Sequence, residues 1–312
     1  MTTLRVVRHP SAAPAGTALA IGSFDGVHRG HATILEHVRT AAVDHGLDSA
    51  VLTFEPLPRE FFSPATAPAR LTSLGEKVSL IAQHGIQTLY VQRFNQAFAS
   101  QEPDQFAWRL RDALGARWVL VGEDFRFGAK RAGDVHKLAE LGARLDFHVE
   151  VLPDVQDDGI HRVSSTRIRE ALAAGHFGEA ERMLGRPYSI TGRVQHGAKR
   201  GRELGFPTAN VRLGRAKPAL TGVFAIKCFG AATRGLEGVA SLGYNPAVQT
   251  GGPATLEAFL FDFQGDLYGR RLTIEFLKKL RDEAPFASLD ALRAQIQRDC
   301  DEAREYFAAG TR

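Results

Sequence analysis

The sequence predicts an α/β amino-terminal domain built on a doubly wound parallel sheet, followed by a small antiparallel β-barrel with a closing α-helix. Three observations carry this. Strand-like apolar runs alternate with helical periods as far as residue 184, which is the pattern of βαβ units. Beyond Tyr188 the segments shorten and alternate in polarity, and turn residues such as Gly251, Gly252 and Pro253 separate them, as in strands with one wet face. A chain of 312 residues also exceeds the roughly 100–200 residues of an ordinary domain, so two cores are expected.

In order, residues 17–22 read as a buried strand, and residues 30–45 as a helix with Ile34, Leu35, Val38, Ala41 and Ala42 on one face. Residues 50–54 form the next strand. Ser73 and Glu76 are spaced as a capping box ahead of a helix through Ala82. Strands at 88–91, 118–121 and 147–152 alternate with helices at 103–114 and 134–143. Ser164 opens a helix to residue 174, a short one ends at Leu184, and Gly185 and Pro187 stop the pattern. Strands follow at 188–191, 222–228, 256–263 and 271–276, then an amphipathic helix over 288–307. The expected domains are 1–185 and 186–312.

The composition, 44% apolar and 24% charged, is that of a folded globular chain. No apolar run reaches the roughly 18–20 residues that span a bilayer, and Arg5, Arg8 and His9 interrupt the start. A cytoplasmic protein is therefore expected. The only two cysteines, Cys228 and Cys300, lie far apart, which argues against a disulfide framework or a thiolate zinc site. The net charge of +4 is uneven, with −1 over residues 1–186 and +5 over the remainder. Residues 186–217 hold eight basic side chains and one acid, Glu203, with glycines rather than aromatics between them. This favours phosphorylated small molecules over single-stranded nucleic acid.

Two strand-to-helix passages carry anion chemistry. His28, Gly30 and His31 open the first helix, where free N–H groups and the helix dipole attract phosphate. Gly30 leaves room for close approach of a nucleotide. Ser164, Ser165, Thr166 and Arg169 repeat the arrangement at a later helix start. Capping or surface roles are the alternative for each, and zinc is disfavoured because no third ligand accompanies the two histidines. In the second half, Gly192, Gly197, Gly201 and Gly205 free the backbone while Lys199, Arg200 and Arg202 supply charge, as in a phosphate cradle. Thr208 and Asn210 offer neutral oxygens suited to Mg²⁺. Glu257, a lone acid in an apolar strand, is either a general base or a solvent-facing side chain.

The strings GSFDGVHRGH (22–31), TFEPLPREFF (53–62), VGEDFRFG (121–128) and the segment ending in PTAN (192–210) closely resemble the bacterial bifunctional riboflavin kinase/FAD synthetases. The likeness runs from about residue 17 to 307. It implies a Rossmann-like nucleotidyltransferase domain, with Gly22, Phe24, His28, Gly30, His31, Ser164, Ser165, Thr166 and Arg169 around ATP. It also implies a kinase domain with Gly197, Lys199, Gly201 and Arg202 on phosphates, Mg²⁺ on Thr208 and Asn210, and Glu257 as base. Phe62, Phe125 and Phe127 are candidates to line a flavin pocket or to pack the core, and Asp124 to contact flavin or ATP. The implied partners are ATP, riboflavin and FMN, without nucleic acid or membrane, in a monomer or weak homo-oligomer. An alternative keeps the kinase and makes the first domain a non-catalytic flavin-nucleotide-binding module. The chain departs from the family pattern at Leu57, at Ser23 and over residues 243–248.

Overall fold

The computed structural model describes residues 3–8, 10, 16–157, 161–197, 205–215, 217–244 and 254–310. By packing, the chain divides into two units: Met1–Pro68 with Leu74–Ser164, and Ala69–Ser73 with Ser165–Arg312.

The first unit runs β1 (Arg5–Val7), β2 (Thr17–Ile21), α1 (Arg29–Asp44), β3 (Asp48–Glu55), α2 (Pro58–Phe62), α3 (Leu74–Gln83), β4 (Thr88–Arg93), α4 (Gln96–Ala99), α5 (Pro103–Asp112), β5 (Ala116–Gly122), α6 (Val135–Leu145) and β6 (His148–Leu152). A two-stranded ribbon, β7 (Gln156–Asp157) with β8 (His161–Arg162), follows. Six strands pair in the order β1-β4-β3-β2-β5-β6, every pair parallel. The sheet has a core on each face, because side chains alternate along every strand. Leu19 and Ile21 join one core with Phe106 and Leu138, while Ala18 and Ala20 join the other with Leu35 and Ile81. This is the expected doubly wound sheet.

Strand β1 was not expected from the sequence. Its three residues are exposed or half-exposed and lie on the sheet edge against β4, so they carry no apolar period. The order also places a reversal of winding at β2, with β3 on one side and β5 on the other. Ligands of open parallel sheets bind at the carboxyl ends of strands beside such a switch point.

The second unit begins with α7 (Ser165–Ala174) and α8 (Phe177–Leu184), which an Arg167–Glu179 ion pair of 3.0 Å joins. Strands β9 (Ser189–Gln195), β10 (Ala209–Val211), β11 (Gly222–Phe229), β12 (Leu236–Tyr244), β13 (Ala254–Leu260) and β14 (Arg271–Arg281) close a barrel in the order β10-β13-β12-β11-β14-β9. Helix α9 (Leu289–Ala309) ends the unit, with Ser288 capping its start by accepting from the Ala291 N–H. Phe224, Ile226, Ala240, Leu242, Ala258, Ile274 and Phe276 are all at most 1% exposed and fill the barrel. The opposite face of β11 and β12 carries Val223, Ala225 and Val239, which pack with Cys300 and Ala303 of α9.

Two barrel details differ from expectation. Strand β12 escaped the sequence reading because Gly238 and Gly243 interrupt its alternation. In the fold Gly238 is needed, since a Cβ there would collide with the Phe259 carbonyl on β13. The strand expected over 256–263 stops at Leu260, and Asp262 turns the chain with a φ of +54°.

Candidate functional site

Two sites can be built, one in each unit. The first lies where β2 passes into α1. Gly22 leads into a tight turn in which Phe24, Gly26 and Val27 have φ of +48°, +88° and +42°. Phe24 and Val27 are not glycines, so each costs on the order of 1–3 kcal/mol in backbone strain. Burial repays part of this: they are 1% and 2% exposed and join the core with Leu35 and Val38. The turn aims the chain so that His28 becomes the amino-terminal cap of α1.

His28 is 6% exposed, and its Nδ1 accepts from the His31 N–H at 3.3 Å. A nitrogen that accepts carries no proton, so the proton of the neutral ring is on Nε2, which is a donor. The His31 ring stacks on His28 with centroids 3.7 Å apart and tilts against Phe24 at 5.0 Å. A Cβ on Gly30 would sit 3.2 Å from the His28 ring, so this glycine makes room first for the imidazole. The structure thus brings Gly22, Phe24, His28, Gly30 and His31 together at the carboxyl end of β2. The His28 Nε2 donor, the positive end of the α1 dipole and a rigid backbone make a receptor for an anion.

Strand β5, parallel to β2 and next to it, leads into the Gly122–Phe127 loop at the same carboxyl end of the sheet. Asp124 is largely exposed there and pairs with Arg162 at 2.9 Å, and Arg162 also reaches Asp154 at 3.1 Å. Arg162 was missing from the sequence reading, having no motif around it. Phe125 is half-buried and stacks on Phe127 at 5.6 Å. Phe127 is 6% exposed, and a Cβ on Gly133 would come within 2.6 Å of its ring. Phe62 is 62% exposed at the end of α2. It connects through Phe94, Phe98 and Phe106 to Phe127, with successive centroids 5.2–6.1 Å apart. Leu57, at the start of α2, is 8% exposed and so turned into the core.

Of the second predicted anion passage, Ser164 closes the first unit, while Ser165, Thr166 and Arg169 lie on α7 in the second. Arg169 Nε donates to the carbonyl of Ala69 within that unit. Arg215, 9% exposed, holds the same segment, donating to the Leu71 carbonyl at 2.7 Å and to the Tyr188 hydroxyl at 2.9 Å.

The second site is a cavity of about 1040 Å³ on the barrel face that α9 packs against. The β-register builds its polar wall. Gln195, Asn210, Glu257 and Ser241 are successive cross-strand partners on β9, β10, β13 and β12, so their side chains share one face. All four line the cavity. The Thr208 hydroxyl donates to Glu257 Oε2 at 3.2 Å, and the Ser241 hydroxyl to Glu283 Oε1 at 3.2 Å. Gly197 leaves the space that the Asn210 amide occupies, because a Cβ there would collide with it. Glu257 therefore does point away from the barrel interior, but into a cavity rather than open solvent. Ser241 joins the row through register and Glu283 through the Ser241 hydroxyl, and sequence supplies neither relation.

The far wall is held by charge. Asp299 on α9 is 3% exposed and receives Arg281 Nε at 2.9 Å, Arg281 Nη2 at 2.8 Å and Gln295 Nε2 at 2.8 Å. This bidentate pair ties α9 to β14 at the cavity edge. Lys199, Gly201 and Arg202 lie outside the described residues. The hydroxyl of Thr208 and the amide oxygen of Asn210 offer neutral oxygen donors beside the Glu257 carboxylate, which fits a hard divalent cation that keeps several waters.

A family model described as FAD synthetase matches residues 11–167, and one described as riboflavin kinase matches residues 184–307. The "Bifunctional riboflavin kinase/FMN adenylyltransferase" of Pseudomonas fluorescens is 48% identical over 94% of both chains. The protein of the same name from Escherichia coli strain K12 is 42% identical over 98% of both. Among solved structures, one titled "Macrolide-efflux Protein from Streptococcus pneumoniae" superposes with a TM-score of 0.77 at 28% identity, covering 97% of this chain and 99% of that one. Among the described residues, no helix is long and apolar enough to cross a membrane.

Proposed function

This chain belongs to the family of bifunctional riboflavin kinases/FMN adenylyltransferases, and from that premise we propose how its own residues divide the two reactions. The kinase is carried by residues 186–312 and the adenylyltransferase by residues 1–185. The observation that carries this reading is the row Asn210, Glu257 and Ser241 with Thr208 at 3.2 Å from the carboxylate.

In the barrel cavity, Glu257 takes the proton of the ribityl hydroxyl of riboflavin as that oxygen attacks the γ-phosphorus of ATP. FMN forms and ADP leaves. An alcohol is a poor nucleophile until it loses its proton, so a carboxylate at this point lowers the barrel-site barrier directly. Thr208 and Asn210 would hold Mg²⁺, which neutralises phosphate charge. Gly197, Lys199, Gly201 and Arg202 would cradle the phosphates.

At the β2–α1 turn, the phosphate of FMN attacks the α-phosphorus of a second ATP, giving FAD and pyrophosphate. That nucleophile is already an anion near pH 7 and needs no base. The side chains there position and neutralise. His28 donates from Nε2, and His31, Gly22, Phe24 and Gly30 shape the turn. The family resemblance also assigns Ser164, Ser165, Thr166 and Arg169 to ATP. Phe62 and Phe125 offer faces to the flavin ring, Phe127 backs Phe125, and Asp124 contacts the flavin or nucleotide. Both reactions consume ATP, which supports a cytoplasmic enzyme; its partners on this reading are the small molecules ATP, riboflavin and FMN rather than nucleic acid or membrane, and its state is a monomer or weak homo-oligomer.

The test is a time course with riboflavin, ATP and Mg²⁺, resolving riboflavin, FMN and FAD by chromatography, for the native chain and for Glu257→Gln. FMN should rise before FAD in the native chain. The variant should make FMN at least about 10²-fold more slowly yet convert supplied FMN to FAD, and loss of both activities in a folded variant would refute the division.

A further inference from the structure

Lys77 lies on α3 and is 0% exposed. Its ammonium donates to the Ser23 carbonyl at 2.7 Å and to Thr53 Oγ1 at 3.1 Å. The Thr53 hydroxyl donates to the same Ser23 carbonyl at 3.2 Å. Two donors, one of them charged, thus converge on the carbonyl directly before Phe24, the first left-handed residue of the phosphate turn. One helical turn after Lys77, Ile81 packs in the same core cluster as Phe24 and Val27. Residues 77 and 81 lie on one face of α3. That face holds the strained turn from behind, at its backbone and at its side chains.

The ammonium is committed to the backbone of the turn and to Thr53 rather than to solvent. A charged donor also grips a carbonyl more firmly than a neutral one. We propose that Lys77 is a positioning residue for adenylyl transfer, fixing the Ser23–His28 turn so that His28 Nε2 and the α1 amino terminus meet the ATP phosphates. This rests on the phosphate role assigned above to the β2–α1 turn. Lys77 touches no substrate; it acts through Ser23.

The experiment measures kcat and KM for ATP in FAD formation from FMN, on the full chain, for Lys77→Met, His28→Ala and the double variant, with kinase activity read on the same samples. Lys77→Met should lower kcat/KM for ATP about 30-fold to 100-fold, with a raised KM, and leave riboflavin phosphorylation unchanged. In the His28→Ala background the same substitution should cost under threefold, because the group it positions has gone. An equal loss in both backgrounds with unchanged KM would mean that Lys77 only sustains folding, and would overturn the proposal. If His28→Ala keeps full activity, the phosphate reading of the turn falls instead. Thr53→Val and Thr53→Ser keep the question open to refutation should Lys77→Met fail to fold. Valine should cost about fivefold and serine restore the native rate, and native activity in Thr53→Val would count against the proposal.

Discussion

We propose that the β2–α1 turn and the barrel-face cavity both handle ATP phosphates, yet they are built from different materials. The turn is backbone-made: three left-handed residues, a helix amino terminus and two stacked imidazoles. The cavity is side-chain-made: a polar row set by cross-strand register, with Glu257 at its centre. The nucleophiles explain the contrast. A phosphate monoester arrives charged and asks only for position and neutralisation. A hydroxyl arrives neutral and asks for a base. A strained turn supplies rigidity, and a β-row supplies a carboxylate at a chosen place.

The sharpest way to break this comparison is Glu257→Gln. Loss of a general base should reduce FMN formation by about 10²–10⁴-fold with FAD formation from supplied FMN intact, read as initial rates of the two half-reactions. Next comes His28→Ala. Removing a preorganised donor to developing phosphate charge should slow FAD formation on the order of 10²-fold. Losing the α1 cap should also cost about 1 kcal/mol in stability, visible in thermal melts. Kinase rates should not move.

Gly197→Ala tests the cavity more finely. The added methyl meets the Asn210 amide, so kinase kcat/KM should fall roughly tenfold, about 1.4 kcal/mol, and half-saturation should require more Mg²⁺. Adenylyl transfer should stay native. The smallest effect concerns the thiols. Burial pushes both Cys228 and Cys300 up to about 11 from an ordinary 9.0. A folded-state value above the unfolded one stabilises the fold below about pH 9, and this contribution is lost as pH rises towards 11. Both should resist alkylation at pH 8 in the folded chain and react on unfolding, as mass spectrometry would record.

Much of this was legible in the sequence because it is local. The period of α1, with Leu35, Val38, Ala41 and Ala42 all buried, was read directly from spacing. So was the change from βαβ order to short strands near residue 185. The turn itself was marked by its own residues, and the resemblance named its family. The residues that escaped are those whose partners are distant in the chain. Lys77 reads as an ordinary surface lysine until α3 folds over Ser23, 54 residues away. Arg162 has no motif until β8 meets the loop after β5. Strand β12 carries no readable alternation because Gly238 answers to Phe259 and Gly243 to Glu283, each distant in the chain.

The sequence by itself therefore determined most of the element types, the two kinds of architecture, the position of the β2–α1 turn and the lone acid at position 257. Periodicity, capping and turn chemistry act over a few residues and can be read in one dimension. Only the tertiary structure decided that β2 lies between β3 and β5, which puts the turn at a switch point of the sheet. It alone decided that the outward face bearing Glu257 borders a cavity. Strand pairing, register and burial are relations between distant segments, and a one-residue change of register would reverse every side chain in that row.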